Sequence, residues 1–209
     1  MNIYSDMAAA ALVLEVVFLV VAFGLRTAMQ LRRTGSSGWR GFSRSGSGAG
    51  DVGGVLFAVA LVLALVAPIA DLAGWVEPID GLDGTLGHGA GLVLTVLGGA
   101  GTVLAQLAMG DSWRIGVDAS ERTDLVTRGP FQLVRNPIFT AMLMTALGLA
   151  LLVPNALSLA ALGLLVVGLE LHVRLVEEPY LVRTHGDRYR SYASRTGRFV
   201  PGFGRRLAQ

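Results

Sequence analysis

The 209-residue chain has no cysteine and no lysine. The first absence excludes disulfides, thiolate metal sites and cysteine nucleophiles. The second makes every permanently basic side chain an arginine, 17 in all. Charge is scarce as well: 15% of residues are charged, against about 25% in soluble domains. The three histidines, His88, His172 and His185, have no metal-ligand spacing of the HExxH kind, so no metal is expected. What is abundant is apolar: 53% of the residues, in runs long enough to cross a bilayer.

Five apolar spans are predicted: Ala8–Leu25, Gly54–Val76, Leu86–Met109, Ile138–Val153 and Ala156–Val176. The expected fold is an all-α integral membrane protein. The fourth span is short, and only Pro154-Asn155 parts it from the fifth, which predicts a tight helical hairpin. No basic segment precedes the first span and arginines follow it, so it reads as a span rather than a cleaved signal.

The arginines set the expected topology. Arg26, Arg32, Arg33, Arg40 and Arg44 lie between spans one and two; Arg114, Arg122, Arg128 and Arg135 lie between three and four. The rest run from Arg174, at the end of span five, to Arg206. In a five-span arrangement all fall on one side, which the positive-inside rule makes cytoplasmic. The amino terminus is then outside and the carboxyl tail inside. Because the arginines flank apolar spans, topology explains them better than nucleic acid does. Gly35–Gly54, rich in glycine and serine, is expected to be a flexible cytoplasmic loop. GGAG at Gly98–Gly101 lies inside a span with no strand before it, which predicts close helix packing and not a dinucleotide loop.

Two segments carry candidate chemistry. The first is RGPFQLVRNPIFTAML, Arg128–Leu143. Gly129-Pro130 is turn chemistry, Asn136 has the character of an N-cap, and Pro137 suits the first helical position. Such a helix end favours an anion at the membrane surface; the plainer alternative is a simple helix start whose arginines meet lipid phosphates. The second segment closes span five. There Arg174 is spaced i, i+3 from Glu177 and i, i+4 from Glu178, so both carboxylates are expected near its guanidinium, with Glu170 one turn earlier. Tyr180–Tyr192 mixes aromatics with arginines, as an amphipathic interfacial helix does. Within the spans, Glu15, Asp71 and Gln106 are polar residues that need a reason to be there, and nothing in the sequence supplies a partner for Glu15.

Taken together these segments resemble the isoprenylcysteine carboxyl methyltransferase family and related phospholipid-type membrane methyltransferases. The matching residues are LVTRGPF (Leu125–Phe131), RNP (Arg135–Pro137), the pair Glu177-Glu178, GDRYRSY (Gly186–Tyr192) and Pro201, in order across about the last 100 residues. The resemblance implies a single membrane domain, with residues 1–85 as a two-span accessory half and 86–209 as the catalytic half. It implies S-adenosylmethionine as cofactor, contacted by Asp118, Thr123, Leu125, Val126, Phe131, Asn136, Pro137, Ile138, Phe139 and Glu178. It implies Arg174 as the substrate contact, with Arg174, Glu177 and Glu178 as the catalytic set. The implied acceptor is a carboxylate or amine of a lipidic or prenylated molecule. Asn136 stands where the family usually has histidine and cannot titrate, while Phe131 and Phe139 replace tyrosines. The alternatives are a sterol-reductase-like enzyme using a nicotinamide cofactor, and a non-enzymatic membrane protein that recruits lipid or a partner.

Overall fold

The computed structural model describes residues 3–41, 48–116 and 124–205. Helix α1 (Ile3–Leu19) runs through a π-helical turn at Val20–Leu25 into α2 (Arg26–Thr34). The rod stops at Gly35, whose φ of 72° ends the helix and whose N–H donates to Leu31 O at 2.9 Å. Helices α3 (Gly48–Leu72) and α4 (Thr85–Met109) follow, then α5 (Pro137–Leu152) and α6 (Ala156–His172). A second π turn, Val173–Glu177, leads into α7 (Glu178–Arg195), which kinks at Gly186 with φ 52°.

Four helical rods are long and apolar enough to cross a membrane: Asp6–Thr34, Asp51–Leu72, Thr85–Ser112 and Ala156–Arg195. Pro137–Leu152 is apolar but shorter. Val13, Val17, Val62 and Leu104 are exposed on the outer faces of these rods, a pattern that suits lipid and not water.

One expectation needs correction and another is met. The glycine- and serine-rich loop is shorter than predicted. Trp39–Gly41 (β1) pairs in parallel with Ile115–Gly116 (β2), and α3 already begins at Gly48. Gly38 can turn there at φ 71° and lets the Trp113 ring lie over it. The helical hairpin has a tight connection, but its arms face different partners, α4 on α5 and α3 on α6. Asn155 explains the turn. Its side chain accepts from Ser158 N at 3.0 Å, the Ser158 hydroxyl accepts from Asn155 N at 3.2 Å, and Asn155 Nδ2 donates to Ala67 O at 3.2 Å.

The α4–α5 contact is made of small residues. On α4 the buried positions Gly91, Thr95, Gly98, Thr102 and Ala105 alternate steps of four and three; on α5 they meet Ala141, Thr145 and Gly148. A β-carbon on Gly98 would sit 2.5 Å from Thr145 N. The close packing expected of Gly98 is therefore present, and it holds α5 tightly enough to position its amino end.

Candidate active site

The chain before α5 makes a 3-10 turn, Gly129–Gln132, opened by Gly129 at φ 59°. Val134, Arg135 and Asn136 then run beside the carboxyl-terminal tail. Val134 bridges Gly197, Arg135 N donates to Gly197 O at 2.8 Å, and Asn136 N donates to Arg198 O at 3.1 Å. One helical turn on, the Thr140 hydroxyl donates to Phe199 O at 2.8 Å. Asn136 occupies the N-cap position with Pro137 next, but its side chain makes no capping bond. Nδ2 donates instead to Arg198 O at 3.2 Å, so a tail carbonyl takes the polar group that was expected to cap the helix.

Under this junction lies a buried ionic network. Arg135 Nη1 donates to Ala193 O at 2.8 Å and to Thr196 O at 2.9 Å. Its Nη2 donates to Glu178 Oε1 at 2.8 Å and to Gly204 O at 3.0 Å. Arg198 adds Nε to Glu178 Oε1 at 2.8 Å and Nη2 to Glu178 Oε2 at 3.0 Å. The Glu178 side chain is 1% exposed and that of Arg135 2%. The bonded carboxylate of Glu178 raises the affinity of Arg198 for its proton above the ordinary arginine value, against the opposing effect of burial. A buried anion is tolerable when charge and hydrogen bonds both compensate it; here two guanidiniums do so and tie α5, α7 and the tail together.

Above the network is an open cleft. Leu125, Val126, Phe131, Asn136, Pro137, Ile138, Phe139, Glu177 and Glu178 all line it. The two remote segments singled out in the sequence thus meet at one cavity. Asp118 and Thr123 lie outside the described residues. Arg174 is the exception. It is not among the lining residues, and its Nε donates to Glu170 Oε2 at 2.5 Å with its side chain 57% exposed. The π turn is the reason: the extra residue breaks the i, i+4 neighbourhood that the spacing assumed. Glu178 turns inward to Arg135 and Arg198, while Arg174 stays outward with Glu170.

Several lining residues had no local signal in the sequence. Phe23 and Phe57 come from the amino-terminal half, and Trp113, Arg114 and Asp124 from the stretch between α4 and α5. Arg114 lies over the Tyr180 ring at 5.1 Å, and Arg26 over Trp113 at 4.6 Å. His172 lines the cleft beside Phe139, edge to face at 6.3 Å, with Nε2 3.5 Å from Glu177 Oε1. The Tyr192 hydroxyl donates to Phe131 O at 2.6 Å and fixes the aromatic turn on α7. The arrangement offers aromatic faces, carboxylates at Asp124 and Glu177, and the Arg114 guanidinium around one cavity. Among the described residues no group of three acidic or histidine side chains is arranged to hold a metal.

Comparison with known proteins fits this geometry. Residues 86–188 match the model of the phospholipid methyltransferase (PEMT) family. The fold is similar to that of the eukaryotic intramembrane Ras methyltransferase ICMT (isoprenylcysteine carboxyl methyltransferase). The TM-score is 0.63 at 18% identity, covering 97% of this chain and 69% of that one. No curated protein matches at the sequence level. The resemblance read from the ordered motifs is thus borne out, by a family match over the carboxyl-terminal half and by the fold of nearly the whole chain.

Proposed function

We propose, from the premise of a membrane methyltransferase with an ICMT-like fold, that the cleft binds S-adenosylmethionine and serves a lipidic or isoprenoid-bearing acceptor. The observation that carries this is the convergence of Leu125, Val126, Phe131, Asn136–Phe139, Glu177 and Glu178 on one cavity from two remote segments. The residues suit the cofactor. Its adenine matches the aromatic and apolar walls at Phe131, Ile138 and Phe139. Its zwitterionic end matches a rim that carries both charges at Asp124, Glu177 and Arg114. Asp118 and Thr123 join the binding set on the resemblance alone.

When bound, the sulfonium supplies an activated methyl group, so the hard chemistry belongs to the cofactor. The chain's part is alignment and exclusion of water. A carboxylate acceptor is ionised at neutral pH and needs no base. For an amine acceptor, Glu177 is placed to take the proton, with His172 beside it. Glu178 acts mainly by holding the threshold and tail in register, since both its oxygens are engaged by arginines. Arg174 is assigned the anionic end of the acceptor on the resemblance alone, since its side chain lies outside the cleft beside Glu170.

Five spans complete the proposed topology, with α5 as the short fourth at about 24 Å for 1.5 Å per residue. The arginines then share the cytoplasmic side, the amino terminus lies outside, and the cleft opens toward the cytoplasm. Residues 1–85 form the accessory half of the one membrane domain and 86–209 the catalytic half.

Calorimetry on the purified chain tests the cofactor. S-adenosylhomocysteine is expected to bind saturably, NADPH not at all, and Phe131→Ala to weaken the binding at least tenfold. Binding of NADPH alone would replace this reading with the reductase. Binding of neither would leave the lipid-recruiting protein. For Arg174→Ala, transfer of labelled methyl into a lipid extract should fall at least a hundredfold while S-adenosylhomocysteine affinity stays within about threefold. Equal loss of both would reject the role given to Arg174.

A further inference from the structure

Toward its carboxyl end, the rod formed by α1 and α2 turns one stripe inward: Ala22, Arg26 and Gln30, four residues apart. Arg32 and Arg33, which follow, are exposed. Each member of the stripe grips the end of α4 or the chain just beyond it. Ala22 O accepts from Gln106 Nε2 at 2.9 Å. Arg26 Nη2 donates to Gly110 O at 2.6 Å, and Gln30 Nε2 donates to Asp111 O at 2.8 Å. The next residues of that chain, Trp113, Arg114 and Gly116, line the cleft.

Arg26 is the member with no simpler use. An arginine at the end of a membrane helix ordinarily reaches for water. This one is 4% exposed, and among the described residues no acceptor meets its Nε or Nη1 and no carboxylate pairs with it. A buried cation with two unbonded N–H positions is costly. What offsets the cost is the ring of Trp113, which the guanidinium covers at 4.6 Å. Gly38 lies against the same residue: a β-carbon there would stand 3.2 Å from the Trp113 carbonyl oxygen and 3.3 Å from its ring. The pairing of β1 with β2, Trp39 beside Ile115, continues the hold past the indole. We propose that Arg26 is a positioning residue for the cleft: by holding Trp113 in the wall, the amino-terminal half completes the cofactor site. That the wall serves a cofactor rests on the function proposed above; that Arg26 holds it stands on these contacts.

Two measurements on the full chain in lipid nanodiscs test this. Trp39 and Trp75 are exposed and Trp113 is buried, so the tryptophan emission shielded from acrylamide reports Trp113. Arg26→Met is expected to lose most of that shielded emission and to weaken S-adenosylhomocysteine binding at least tenfold, with its unfolding midpoint close to the parent's. Arg26→Lys, which can still donate to Gly110 O and face the ring, should rescue both readouts to within about threefold. Shielded emission and affinity unchanged in Arg26→Met would overturn the proposal. So would an exposed Trp113 with parental affinity. Should Arg26→Met fail to fold, Gln30→Leu decides: a partial loss of shielded emission with at least threefold weaker binding supports the hold, and parental values overturn it. A parent that binds no S-adenosylhomocysteine would end the cofactor reading, and the emission alone would then decide whether Arg26 holds this wall.

Discussion

Glu178→Ala is expected to cost about 3–5 kcal/mol of stability, the range for removing one partner of a buried ion pair. The substitution leaves Arg135 and Arg198 facing each other across the vacated position. Arg135 keeps its bonds to the carbonyls of Ala193, Thr196 and Gly204 but loses the carboxylate that neutralises it. Among the described residues Arg198 retains the carboxylate of Glu170, at 3.9 Å. Arg198→Ala should be milder, since Glu178 then keeps Arg135. The measurement is thermal unfolding in detergent, together with limited proteolysis of the tail that carries Gly197 to Gly204. Faster cleavage there in Glu178→Ala, with α1 to α4 still protected, is the expected signature. A Glu178→Ala protein as stable as the parent would mean that the network is solvated and that the tail is held by something else. Loss of cofactor binding should accompany the unfolding of the tail, because the same carbonyls that receive Asn136 belong to that tail.

Gly148→Val is the other large effect, and it acts through the backbone. A β-carbon at Gly148 would meet Thr95 N at 2.5 Å and Gly91 O at 2.6 Å, besides the Thr95 hydroxyl. These are main-chain atoms of a facing helix and cannot rotate away. The helices must separate, so the loss should exceed the roughly 1–3 kcal/mol of ordinary overpacking. Without a hydrophobic drive between helices in lipid, little remains to hold α4 on α5 once contact is lost. The expected result is aggregation on extraction, or a sharply lowered unfolding midpoint. Gly163→Ala is the control. Nothing lies within 4 Å of the added carbon, and alanine is the better helix former by about 1 kcal/mol. If Gly148→Val were as stable as that control, the small-residue crossing would not be what positions α5.

How far the chain could be read without its fold differs from element to element. The apolar runs were legible because a bilayer demands long uninterrupted helices, and Gly98 was legible because a glycine inside such a helix has few uses besides close approach. The turn at Gly129-Pro130 was legible because those residues act on their own backbone. Nine lining residues were named because they stand in or beside ordered motifs that a family resemblance joins. Helix limits were less legible: α3 starts within the predicted loop, where glycines and serines hid a helical turn.

Local spacing failed where a side chain's partner is distant or the helical period changes. Arg174 and Glu178 are four residues apart, as an α-helical pair would be, yet the π turn sends one outward and the other into the core. Asn136 has the residue type of a cap, but a carbonyl 62 positions away was available to it. Arg135 stood in the RNP motif but had no role assigned to it, and Arg198 had no motif at all. What the residues determined by themselves is the solvent this protein needs, the number and order of its apolar segments, and the positions where its backbone must turn, since these depend on neighbours along the chain. What only the tertiary structure decided is which charges are buried together and which arginine meets which carboxylate. Those outcomes follow from competition among groups far apart in sequence for the few partners a low-dielectric interior offers.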